Sequence, residues 1–214
     1  MGRKDFDPDE MEPRAFYRLL TAVILPRPIA WVSSRSADGV DNLALHSVYP
    51  CSRVYPPVLH FTSVGRMDSL TNIEQTGEFV VNFSPEHMFE QINATATDFP
   101  PEVSEFEAVG VASERSARVA PLRVAGSPVA FECKLTHTHS FGDSTVVFGR
   151  VVHAAVDESV LEGERGLPHV ELLRPMARLG KIEWARLGEV EEITRIPHEE
   201  WPGHYDPGEE EESS

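Results

Sequence analysis

Between Pro26 and Ser69 the chain carries residue types that suit a flat, anionic, amide-rich ligand. It reads Pro26-Arg27-Pro28-Ile29-Ala30-Trp31-Val32-Ser33-Ser34, then Asp38-Gly39, then Asn42-Leu43-Ala44-Leu45-His46-Ser47, and finally Arg66-Met67-Asp68-Ser69. A phosphate needs hydroxyls, main-chain N–H groups and ideally a guanidinium fork. Ser33, Ser34, Ser47 and Ser69 offer the hydroxyls. Arg66 offers the fork just ahead of a helix start, whose dipole also favours an anion. Small Ala44 lets main chain approach the carbonyls and nitrogens of a conjugated ring. Serines are common, so the signal is their order relative to Arg66. Taken singly, Arg66 reads as a solvated charge, Asp68 as a helix cap and Trp31 as strand core.

The elements that must hold these residues follow from periodicity and breakers. Pro13 suits a first helical turn, and Phe16, Leu19, Leu20 and Val23 recur at helical spacing, which predicts a short amphipathic helix over 13–23. Pro26 and Pro28 end it and impose extended backbone on Ile29–Ser34. Asp38-Gly39 is a hairpin turn, and Val58–Val64 is the next strand. Asp68 is the expected N-cap of a helix buried through Leu70 and Ile73 and stopped by Gly77. Residues 78–83 read as a strand, and Pro85 restarts a helix bearing Met88, Phe89 and Ile92. Residues 96–126 read as a long excursion outside the core. Val129–Ser140 and Thr145–Val156, turned at Gly142-Asp143, form a hairpin long enough to wrap a barrel. Strands with antiparallel connections and short helices favour a closed β-barrel over a doubly wound sheet.

The order and spacing of these segments resemble the flavin reductase-like family over roughly residues 14–186. The resemblance implies a mainly β fold: an antiparallel, FMN-binding split β-barrel with a few short α-helices, paired as a homodimer. It divides the chain into an N-terminal extension (1–12), the barrel domain (13–196) and an acidic, disordered tail (197–214). It assigns cofactor contacts to Trp31, Ser33, Ser34, Asn42, Ala44, Leu45, His46, Ser47, Ser63, Arg66, Ser69 and Asn93, with the basic residue, Asp and Ser of Arg66–Ser69 at the phosphate. The stretch from Asn93 to Pro101, followed by Glu105-Phe106-Glu107, resembles one typical of a branch of the family and would roof the flavin ring, with plain helix capping as the other role for Asn93.

Three departures from the family pattern stand out. Leu45 and His46 occupy places where many relatives have Pro and an aromatic, Arg66 stands where Lys is common, and Ser144 stands where several active reductases carry His. The resemblance implies an oxidoreductase passing hydride from NAD(P)H to flavin, with a flavin-dependent monooxygenase as a candidate partner. Ser144 keeps open a non-catalytic FMN carrier or store. A third reading keeps the fold but fills the pocket with haem or a deazaflavin.

Other classes find little support. With 19 basic against 35 acidic residues, a net charge of −16 opposes polyphosphate and anionic membranes. Cys51 and Cys133 are far apart in sequence, which fits a reducing cytoplasm better than a stapled secreted domain. No apolar run approaches the ~20 residues of a membrane span, and no P-loop, G-x-S-x-G or HExxH motif occurs. His137 and His139 share a strand face and would bind zinc only with a third ligand such as His60 or His153; no metal is expected.

Overall fold

The computed structural model describes residues 2–163 and 166–201. Seven strands build the main sheet: β1 (Ala30–Arg35), β2 (Asp41–His46), β3 (Cys51–Arg53), β4 (Val58–Val64), β5 (Glu78–Asn82), β6 (Val129–Phe141) and β7 (Ser144–Val156). Their order is β2-β1-β5-β6-β7-β4-β3, and every neighbouring pair is antiparallel. The sheet curls back on itself beyond β2. There the carbonyls of Val48 and Pro50 accept the N–H groups of Thr62 and His60 on β4, each at 3.1 Å. Among the described residues the outer edge of β2 itself has no strand partner, and this gap splits the barrel.

Period-two alternation on β1 sorts its side chains into two cores. Ala30 and Val32 face the barrel interior with Leu59, Phe61, Phe79, Val81, Cys133 and Val147. Ile29 and Trp31 face outward into a second cluster with Leu43, Met88, Ile92, Phe106, Val111, Val124 and Met176. Each fully buried side chain of this size contributes about 1.5–3 kcal/mol relative to exposure. At Gly149 on β7, any Cβ would overlap the Phe79 ring, so the close strand–core approach requires glycine.

The described residues form five α-helices: α1 (Pro13–Val23), α2 (Asp68–Thr76), α3 (Phe89–Ala94), α4 (Glu105–Val109) and α5 (Val170–Leu173). α1 is capped by the Glu12 carboxylate, which accepts from the N–H groups of Arg14 and Ala15, and none of its residues is buried.

Three sequence expectations are corrected. Asp68 is the first residue of α2, with Met67 at the N-cap position and no side-chain cap bond. Asn93 lies inside α3, whose C-cap is Thr95. The 96–126 segment is not outside the core, because it supplies Phe106, Val111 and Val124 to the second cluster.

Both cysteines are free. His60 and His137 lie on either side of Phe148, across neighbouring strands, and no group of metal-binding side chains occurs among the described residues. No described helix is long and apolar enough to cross a membrane. The tail expectation falls largely on residues 202–214, outside the described part.

Candidate functional site

The split in the barrel opens into a cleft of about 440 Å³, within the roughly 300–1,000 Å³ usual for small-molecule sites. Its floor is β2, from Asn42 to His46, continuing through Ser47 and Val48. Thr62 and Val64 of β4 form one wall, the Met67–Ser69 start of α2 another, and Thr95–Phe99 with Glu105 the roof.

The open edge of β2 gives the cleft its main-chain chemistry. The Leu43 N–H points away from β1 and donates to the Glu105 carboxylate at 2.9 Å. In an antiparallel strand alternate residues face the same edge, so Leu45 presents its N–H and C=O on this side too. Neither has a strand or side-chain partner among the described residues. A conjugated ring edge bearing carbonyls and ring nitrogens fits such a pair of groups.

Polar groups at the Asn42 end form one network. The Asn42 amide donates to both Glu105 oxygens, at 3.0 and 3.1 Å. Its carbonyl accepts from Ser34 at 3.2 Å and from Ser69 at 3.0 Å. Asn72 of α2 donates to Ser34 at 3.2 Å. Burial pushes the Glu105 carboxyl above the usual carboxylate range, and the Leu43 N–H opposes that shift. Beside this network α2 begins without a side-chain cap, so its first-turn N–H groups remain available to an anion.

Two features work against an anion here. Asp68 sits in the same turn, its carboxyl raised by burial and by Asp98 and Glu102. Arg66 is exposed and engaged with Glu74 at 2.7 Å.

His46 closes the floor against Phe61, with ring centroids 4.4 Å apart. Its Nε2 is buried without a partner. Burial pushes its pKa down to about 4, with a smaller opposing pull from the Thr62 main chain, so it is neutral at physiological pH.

The twelve residues named from sequence divide by position. Asn42, Ala44, Leu45, His46, Ser47 and Ser69 line the cleft. Trp31 and Ser34 lie behind it: the Trp31 indole donates to Thr95 at 2.9 Å, and Ser34 supports Asn42. Ser33 donates to the Leu122 carbonyl and Ser63 to the Gly65 carbonyl, both away from the cleft lining. Arg66 stands outside beside Met67, and Asn93 is exposed on α3. Tyr17, Thr62 and Met67 line the cleft without having been expected, while Glu105, from the expected roof segment, brings a buried carboxylate. Thr62 was legible in principle, since it alternates with His60 on a strand already assigned.

A second, larger cleft of about 710 Å³ lies around Glu86, Arg174 and Arg186. Its charges are spent internally, because Glu86 holds Arg174 at 2.8 Å and Arg186 at 3.1 Å.

The fold agrees with that of the chain's relatives. The model of the flavin reductase like domain matches residues 22–173, and the chain belongs to the flavin reductase-like family. Nitrilotriacetate monooxygenase component B from Bacillus cereus is 32% identical, with a TM-score of 0.84 over 90% of this chain and 100% of that one. The 2-nitrobenzoate 2-nitroreductase NbaA of Pseudomonas fluorescens is 30% identical, with a TM-score of 0.84 over 91% and 97% of the two chains. The split barrel domain protein of Shewanella frigidimarina, 19% identical with a TM-score of 0.80 over 88% and 96%, shares the fold.

Proposed function

We propose that the chain binds FMN in the cleft at the barrel split and serves as an NAD(P)H-dependent flavin oxidoreductase. The observation that carries this reading is the uncapped start of α2 opening on the cleft beside the Ser69 hydroxyl. That is an anion cradle at one end of a floor whose main-chain edge is open. When bound, the isoalloxazine ring supplies the hydride chemistry.

The chain's own residues bind and orient. Leu45 offers main-chain groups to the ring edge, Ala44 leaves room for it, and neutral His46 on Phe61 makes an uncharged floor. Ser69, the first N–H groups of α2 and Arg66, once released from Glu74, hold the phosphate. The Thr95–Phe99 roof, fixed by Trp31, limits water. No side chain has to act as acid or base.

Residues 13–196 are the working unit in this reading, acting as a homodimer in the cytoplasm. The likeness to a monooxygenase component B supports a monooxygenase as the acceptor of reduced flavin. A carrier without reductase activity is the second reading. It is favoured by Ser144, whose hydroxyl is tied to Asp143 at 3.0 Å and offers no imidazole near the cleft. NADH and NADPH oxidation, followed with added FMN, separates the two. Turnover supports the reductase, FMN binding without turnover supports the carrier, and no FMN binding overturns both.

A further inference from the structure

Positive charge without a carboxylate partner collects at the Ser47 end of the cleft. Arg27 and Arg178 lie directly opposite each other in a short antiparallel pair, Arg27–Pro28 against Ala177–Arg178. Like charges facing each other across a ladder are destabilising. The chain has 35 acidic residues to relieve such a clash. Arg35, Arg66, Arg123, Arg174 and Arg186 each hold a carboxylate. Among the described residues, Arg27 and Arg178 hold none, and unlike the other arginines without a carboxylate, which are exposed, they are half-buried.

Their contacts are neutral instead. Arg27 donates to the Ser47 hydroxyl at 3.1 Å and to the Leu179 carbonyl at 2.7 Å, and its Nε is buried without a partner. Arg178 lies over the Trp184 ring at 4.6 Å and donates to the Lys181 carbonyl at 3.2 Å. Burial first, and Arg27 second, hold the Arg178 guanidinium below its ordinary pKa.

We propose that Arg27 and Arg178 form an anion site at the Ser47 end of the cleft that takes the phosphate or diphosphate of a nucleotide. Ser47 lines the cleft and touches Arg27, which connects the pair to the ligand space. Ser47 is five positions beyond Asn42, so at about 3.3 Å per residue it lies roughly 16 Å along the chain from the Asn42 end of the cleft, where Ser69 sits. Two guanidinium forks match the geometry of phosphate oxygens. Two sources share this chemistry: the diphosphate of a pyridine nucleotide and the phosphate of the flavin itself. The naming of these sources rests on the flavin reading; the site does not.

The test is calorimetric titration of the full chain and its Arg178→Met variant with inorganic pyrophosphate, ADP-ribose, FMN and riboflavin. Met keeps an apolar chain against Trp184, and removing one of two facing cations leaves the melting temperature level or higher. Wild type binds pyrophosphate, and the variant loses about tenfold or more. Parallel loss of ADP-ribose assigns the pyridine nucleotide, whereas parallel loss of FMN with riboflavin unchanged assigns the flavin phosphate and overturns its placement at the start of α2. Arg27→Lys, which keeps a donor for Leu179, serves as the second variant and weakens pyrophosphate in the same direction. A fall in melting temperature with all phosphate-bearing probes unaffected overturns the proposal. Absence of flavin binding alongside intact pyrophosphate binding overturns the flavin reading and leaves the arginine site standing.

Discussion

Leu45 is the residue at which this chain's cleft differs most usefully from the pattern its sequence resembles, in which Pro occupies the place. Proline has no N–H to give, whereas Leu45 turns one into the cleft. Leu45→Pro removes that donor without breaking a ladder bond, since the N–H points away from β1, and proline is tolerated on an edge strand. FMN affinity should fall about three- to tenfold, the worth of one net hydrogen bond, with the melting temperature nearly unchanged. Fluorescence titration beside a thermal scan reads both.

His46, next along the floor, ties stability to pH. The unfolded chain takes up a proton here as the pH falls below the ordinary histidine value of 6.5, while the folded chain refuses it until about 4. Stability contributed at this position is therefore full above pH 6.5 and is lost as the pH falls through that window. The loss is about 2 kcal/mol by pH 5. His46→Phe, which keeps a ring on Phe61, should remove this part of the slope. Urea midpoints of both proteins at pH 7 and pH 5 measure the difference.

Among the elements, the α4–β2 contact matters most to the site, and it hangs on one carboxylate. Glu105 is 5% exposed and receives the Leu43 N–H and the Asn42 amide. Glu105→Ala strands both donors, each costing about 1–3 kcal/mol when left buried and unpaired. The variant should unfold at clearly lower urea concentration and bind flavin more weakly, because the Asn42 end of the floor loosens. Unchanged stability would show that water replaces the carboxylate.

The element scale also shows what the sequence could and could not reveal. Strand alternation and Gly142-Asp143 made the β6–β7 hairpin legible, because both signals are local. The start of α2 lies one residue earlier than Asp68 as a cap would place it, since Asp is a good cap and also a good first-turn residue. The core role of the 96–126 segment was hidden. Phe106, Val111 and Val124 share no period, and only long-range packing brings them together. The bond from Glu105 to Asn42 was not legible either, because 63 residues separate the two.

For the whole molecule, α1 raises the question of what covers its apolar side. Leu20 is 40% and Val23 66% exposed, on a helix with no buried residue. A stripe of this kind on an isolated chain is better explained by a two-fold partner, and stable dimers bury about 1,200–2,000 Å² or more. Light scattering should give twice the 23.8 kDa chain mass. Leu20→Glu combined with Val23→Glu should shift the particle toward one chain. A wild-type monomer that holds FMN tightly would contradict the paired assembly.

A flavin held by its phosphate at the start of α2 can be checked by titrating the flavin-free protein with FMN and with riboflavin, wild type beside Arg66→Ala. Saturation is expected at one FMN per chain. The variant should lose about tenfold in FMN affinity, near the low end for a charge-assisted contact because Arg66 must first leave Glu74, and riboflavin affinity should not change. Equal losses for both flavins would remove Arg66 from the phosphate, and a wild-type chain that binds neither flavin would overturn flavin binding in this cleft altogether.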